Sequence, residues 1–174
     1  MFESAALLLK LAPHHYLDVC HSGYTWKAIF KWTLPANQQD ILRLQGSFDD
    51  RLPRDYTRFL SEVSNGAILF YDDKFGQWGF KLYSVNELLE KQNQWHKIIP
   101  DDLESRFIVF CELFGEANAM VFDINHQTSD GFSYAVLEAN ALDKSSDWLI
   151  ASRSFHEWLD HLITAQGDKY WTWK

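Results

Sequence analysis

Three groups of residues have the types and spacing for chemistry. His14, Asp18 and His21 stand four and three positions apart. On a helix they would share one face, with His15 and Cys20 beside them, and imidazole, carboxylate and thiolate are the ligands zinc takes. Pro13 and Gly23 bracket this stretch, which carries no apolar stripe of helical period, so an ordinary polar surface outweighs a metal site. His156 and Asp160 can pair one helical turn apart, whereas His161 points elsewhere. Surface pairing outweighs catalysis there. Glu112, Glu116 and Asp123 flank one expected hairpin. Paired carboxylates can do acid–base work, but a solvated sheet edge or an acidic patch offered to a partner are the stronger readings.

Other catalytic signatures are missing from the sequence. It holds no glycine-rich phosphate loop, no nucleophile elbow and no Cys-x-x-Cys pair. Asp72-Asp73 before Gly76 lacks the ligand spacing of a calcium loop. No catalytic residue, cofactor or metal ligand is therefore assigned. Cys20 and Cys111 make no disulfide framework, and Cys111 follows the apolar run Phe107-Ile108-Val109-Phe110, where a thiol acts as a small hydrophobe.

The balance of charge narrows the partners. Sixteen Lys and Arg against 24 Asp and Glu leave a net charge of −8 over 174 residues, with no basic run. Phosphate backbones require clustered cations, so direct binding to nucleic acid or to an anionic membrane is not expected. A basic protein partner is, because opposite charges speed encounter. The apolar stretch Ala5–Leu9 is cut by Lys10, follows Glu3 and has no cleavage site after it. It reads as neither a leader nor a membrane span, and the expected location is the cytoplasm. With 8 Trp, 7 Tyr and 13 Phe, aromatic area suits both a core and an interface.

These residues need elements to position them. Phe2–Leu11 predicts a helix that stops before Pro13, and the stretch through Trp32 is ambiguous. Pro35 opens a second helix that Gly46 ends. The third is best defined: Pro53 at its first turn, Tyr56, Phe59, Leu60 and Val63 along one face, and Asn65-Gly66 as its stop. Strands follow at 67–71 and 78–83. Ser84 and Glu87, and later Ser154 and Glu157, have capping-box spacing. Between these two helices lie strands at 106–113, 119–125, 132–139 and 148–152, with a turn at Asp130-Gly131. Short links predict one α+β domain with a mainly antiparallel sheet flanked by helices. Residues 1–34 read as an N-terminal extension packed on the body, 35–165 as the body, and 166–174 as an aromatic tail. In that tail Trp171 and Trp173 either fold back on the core or offer a contact, and folding back is favoured.

Leu52-Pro53-x-x-Tyr56-x-x-Phe59-Leu60 followed by Asn65-Gly66 resembles the opening of the SUKH superfamily. The run Phe107–Phe110, Gly115-Glu116 and Val121-Phe122-Asp123 is similar to its central hairpin, and Ala151-x-x-Ser154-Phe155-x-x-Trp158-Leu159 to its closing strand and helix. The resemblance covers about Ile41 to Ile163. Ala67 departs from it where many members carry a second glycine. It implies an α+β fold and, for bacterial members, direct neutralisation of a cognate toxin, often a nuclease; fungal members are regulatory proteins of cell-wall synthesis. The expectation is a non-catalytic, immunity-type protein whose partner is a toxin effector. An intracellular regulator or scaffold is the alternative, and a hydrolase or metal-binding protein comes third. Glu112, Glu116, Asp123, Trp171 and Trp173 are the candidate partner-binding residues.

Overall fold

A computed structural model describes residues 2–12, 15–21, 24–95, 97, 106–129, 132–140 and 142–173. Eight strands form one antiparallel sheet in chain order, each paired with its sequence neighbour. They are β1 (Tyr16–His21), β2 (Tyr24–Trp32), β3 (Ala67–Asp72), β4 (Phe80–Leu82), β5 (Phe107–Leu113), β6 (Asn118–Gln127), β7 (Tyr134–Asn140) and β8 (Leu149–Ser152). The helices are α1 (Glu3–Leu11), α2 (Gln38–Ser47), α3 (Arg54–Glu62), α4 (Val85–Trp95) and α5 (Phe155–Thr164). The fold is α+β, as the short links between strands require. The ambiguous stretch before Trp32 contributes the hairpin β1–β2, which lengthens the sheet on one side.

Side-chain period explains the elements. In α3 the buried Tyr56, Phe59 and Leu60 recur at helical spacing. Tyr56 meets Phe110 of β5 and Phe122 of β6, with ring centroids 5.6 and 5.2 Å apart, and those two phenyls stack at 4.1 Å. Phe155 and Trp158 of α5 close the cluster, 5.0 Å from Tyr56 and 5.3 Å from Phe110 respectively. Edge-on and offset ring pairs like these contribute about 0.5–1.5 kcal/mol each beyond area burial. The aromatic excess is thus spent largely on the core beneath α3 and α5. α1 packs on α5, with Phe2 edge-on to Phe59 and Phe155 and Ser4 hydrogen-bonded to Asp160.

Three boundary expectations need correction. α2 starts after Asn37, whose Oδ1 accepts from Asp40 N at 2.8 Å, and runs past Gly46 to Ser47. A side-chain acceptor satisfies the helix start better than the rigid ring of Pro35 two residues earlier. The strand expected from Trp78 begins only at Phe80. α3 ends at Glu62, so Asn65-Gly66 lies beyond its cap. That pair instead seats α4. Asn65 Oδ1 accepts from Val85 N at 2.9 Å, and Gly66, at φ +88°, lies so close to Ser84 that a Cβ would sit 2.8 Å from its nitrogen. The Pro13, Pro100 and Asp130-Gly131 signals lie outside the described residues.

β4 is too short to cover all of β5. Gln92 of α4 fills the gap: its Nε2 donates to Phe107 O and its Oε1 accepts from Val109 N, both at 3.0 Å. One side-chain amide thereby replaces a stretch of missing strand.

Candidate functional site

The three acidic candidates of the β5–β6 hairpin do not form one patch. Glu112 accepts from Tyr83 Oη at 3.0 Å and lies 3.6 Å from Lys91 Nζ. Glu116, in the β5–β6 turn, accepts from Lys169 Nζ at 2.5 Å and from Asn118 Nδ2 at 3.0 Å. Asp123 stands at the far end of the hairpin, opposite Phe107 in register. It is 1% exposed and takes two bonds from Arg106, Nε to Oδ1 at 2.9 Å and a terminal nitrogen to Oδ2 at 2.7 Å, with His126 Nδ1 at 2.6 Å. Burial alone would raise the Asp123 pKa, but the Arg106 and His126 contacts hold it below the usual carboxylate range.

The tail organises a second cluster. A single 3₁₀ turn, Tyr170–Thr172, lies against β8 and brings Trp171 over Phe80 at 6.4 Å. Trp171 Nε1 donates to Glu138 Oε2 at 2.6 Å, while Lys169 Nζ bridges Glu138 and Glu116. Glu138, only 7% exposed on β7, was not singled out from sequence. Its burial would raise its pKa, yet bonds from Lys169, Trp171 and Asn118 lower it. Trp173 is 63% exposed and donates through Nε1 to Asp168 at 3.3 Å. Glu116, Trp171 and Trp173 therefore gather around the tail, whereas Asp123 lies elsewhere.

Asp123 borders a groove of about 680 Å³ on β6–β8. Leu137 and Ile150 face each other along its floor. Trp148 packs on Phe107 at 4.8 Å, the Arg106 guanidinium lies over the same ring, and Arg153 stands on the rim. The mixture of apolar floor and cationic rim suits contact with a protein segment.

The other groups take structural places. Asp18 lies on strand β1, not on a helix, so the helical spacing that suggested a metal site does not apply; His14 and the side chain of His21 fall outside the described residues. Among the described residues no group of three or more His, Cys, Asp or Glu is gathered as a metal site. His156 packs on Phe2 at 5.5 Å, Asp160 accepts from Ser4, and His161 meets Tyr170 edge-on. Burial pushes the Cys111 thiol up, away from a reactive thiolate. Asp72 Oδ1 accepts from Lys74 N, which makes a local turn.

Asp55 is the other residue that sequence reasoning missed. Fully buried at the start of α3, it accepts from Tyr56 N at 2.9 Å, Ser133 Oγ at 2.6 Å and His156 N at 3.1 Å. It thus ties the N-termini of α3 and α5 to the segment entering β7. Burial raises its pKa against these lowering bonds. An acid in a first helical turn was a weak signal for it, since that position favours negative charge whether or not it is buried.

The model of the SMI1 / KNR4 family (SUKH-1) matches residues 35–161. The chain belongs to this family. An uncharacterized protein of Bacillus subtilis (strain 168), YnaB, is 25% identical over 144 residues, which is 83% of this chain and 88% of that one. In SUKH-1 terms the matched span runs from α2 into α5 and holds Asp55, Glu112, Glu116, Asp123 and Glu138, whereas α1, β1–β2 and the Trp171–Trp173 tail lie outside it. Among the described residues no helix is long and apolar enough to cross a membrane.

Proposed function

We propose that this SUKH-1 chain is a non-catalytic, cytoplasmic protein-binding domain that neutralises a cognate toxin, a nuclease among the candidates, by stoichiometric contact. The observation that carries this reading is the family match across residues 35–161, joined to a net charge of −8 that favours a basic effector. The reading takes the immunity branch over the fungal regulators because the relative found along most of both chains is bacterial. The buried carboxylates described above are held by internal partners, which suits architecture better than turnover. This reading puts the contact surface at the tail, where the exposed Trp173 would supply the aromatic anchor that hot spots favour and Trp171 and Glu116 belong to the adjoining cluster; Glu112 and Asp123 would contribute through charge. Inhibition would follow from covering the effector's active site or an exosite.

Co-expression with a toxin encoded beside the gene is expected to restore growth, and the purified pair to associate more slowly as salt rises. Capture of cellular proteins with no toxin and no rescue would move the chain to the regulatory or scaffold reading. Stoichiometric metal in protein purified without added metal would revive a metalloprotein.

A further inference from the structure

The groove along β6–β8 lies on a face of the sheet that α3 and the tail leave uncovered. Along β6, Asp123 alternates with Phe122, which packs under Tyr56 of α3. Along β7, Leu137 alternates with Glu138, which the tail covers. Successive side chains of a strand point to opposite faces, so Asp123 and Leu137 look away from both. Ile150, paired with Leu137, is 68% exposed on this floor. The rim holds two guanidinium groups. Arg106 is fixed by its two bonds to Asp123, and Asp123, the one carboxylate among the described lining residues, has both oxygens taken. Arg153 is exposed, and among the described residues its guanidinium has no hydrogen-bond or ion-pair partner. Glu157 is occupied with the Arg153 backbone amide at 2.9 Å.

We propose that this groove docks an acidic peptide segment of a partner protein, with an apolar side chain on Ile150 and Leu137 and carboxylates toward Arg153 and Arg106. Such docking goes beyond toxin binding and uses a surface separate from the tail. Charge complementarity selects the occupant. Asp123 cancels Arg106, so Arg153 carries the uncancelled charge, and His126 adds to it when protonated. No lining carboxylate is left to oppose an incoming one. The chain as a whole is acidic, at −8, but salt screens charges more than about 8 Å away at physiological ionic strength. A carboxylate in contact with Arg153 keeps its charge-assisted bonds. A basic segment would meet the guanidinium groups without a free acid, so the groove rejects the class that the net charge favours elsewhere. The apolar floor sets the second requirement: a simple anion would leave Ile150 in water, whereas a segment with an apolar side chain covers it.

Random dodecapeptides displayed on phage and selected against the full chain test the docking. Selected peptides are expected to carry net negative charge and at least one large apolar residue. Arg153→Glu, at an exposed position and with its melting temperature unchanged, should weaken their binding about tenfold or more, and Arg153→Lys less. Ile150→Ser should weaken it about fivefold by thinning the floor. Replacing the peptide carboxylates with lysine should restore binding to the Arg153→Glu chain. In the parent, amide shifts on titration should gather at Ala135, Leu137, Ile150 and Arg153. An empty selection, basic winners, winners indifferent to Arg153→Glu, or shifts confined to residues 168–173 would each overturn the assignment. Shifts at Ile150 that follow the chain's own concentration without peptide would give the groove to a second copy, and overturn it too. Failure of toxin rescue moves none of these readouts, so the two readings fail separately.

Discussion

Asp55 and Asp123 are carboxylates with almost no solvent exposure, 0% and 1%, yet opposite surroundings hold them. Asp55 sits where α3 and α5 begin and accepts from two backbone amides and the Ser133 hydroxyl, with His156 the charge that acts on it. Asp123 borders the groove and is bound by a guanidinium and an imidazole. Burial therefore wins at Asp55 and raises its pKa, while cationic and hydrogen-bonding partners win at Asp123 and lower it. The helix layer uses a carboxylate as a joint among buried backbone groups. The groove uses one to hold a guanidinium and an imidazole near the surface, where they can meet another molecule. Glu138 stands between these cases, buried as the first yet paired with Lys169 as the second.

The largest effect expected from this contrast is at the joint. Asp55→Ala leaves two amides and a hydroxyl without acceptors inside the protein and should cost about 3 kcal/mol in urea unfolding. Asp55→Asn, which keeps one oxygen, should cost less than half of that. Equal losses from the two variants would show that the negative charge, not the acceptor geometry, is what joins the helices. Next comes Glu138→Ala, at about 2 kcal/mol, because Lys169 and Trp171 lose a buried acceptor while Glu116 still holds the ammonium. Its signature should be release of the tail, seen as faster amide exchange over residues 168–173.

Asp123→Ala should cost only about 1 kcal/mol, since the side chain of Arg106 is 34% exposed and regains water. Acid separates the two sites by sign. The folded pKa of Asp123 lies below its unfolded value, so its contribution is complete above about pH 4 and disappears as pH falls through the folded pKa. The folded pKa of Asp55 lies above its unfolded value, so ionisation penalises the fold, and lowering pH through that folded pKa relieves the penalty. Urea midpoints measured against pH should therefore fall less steeply in acid for Asp123→Asn than for the parent, and more steeply for Asp55→Asn. The same slope in both variants would erase the distinction.

How far the sequence led depended on the reach of each contact. The capping box of Ser84 and Glu87 and the face of Tyr56, Phe59 and Leu60 were legible because their partners lie within one turn. The hairpin before Trp32 was missed although Val19, Ala28 and Phe30 are buried between exposed Asp18, Lys27 and Lys31. That alternation is the strand period, and the helical spacing of His14, Asp18 and His21 runs across it. Glu138 could not be found in this way. Within Ala135-Val136-Leu137-Glu138-Ala139 it reads as a solvent-facing strand residue, and its partners are a lysine and a tryptophan over 30 positions later and Asn118 on the neighbouring strand. Asp55 is the same case, fixed by Ser133 and His156 far along the chain. Nearness in sequence misleads the other way for Glu112, Glu116 and Asp123: on one hairpin, Glu112 and Glu116 lie at the turn and Asp123 at the opposite end.

The smallest stability effect should come from Trp173→Ala, and it tests which part of the tail faces outward. Trp171 and Trp173 look equivalent in sequence, but one indole donates to buried Glu138 and the other, 63% exposed, reaches only Asp168. Truncating Trp173 should change unfolding free energy by less than about 0.5 kcal/mol, as for most exposed positions. If the tail is the contact surface, the same change should weaken partner binding at least about tenfold, as loss of an interface aromatic does. Trp171→Ala should instead lower stability measurably, because it opens the Glu138 cluster, and any loss of binding would follow from that. Thermal melts of both variants beside titration calorimetry with the partner separate the two roles. A Trp173→Ala protein that melts early and binds normally would assign the exposed ring to the fold and move the contact surface to another face.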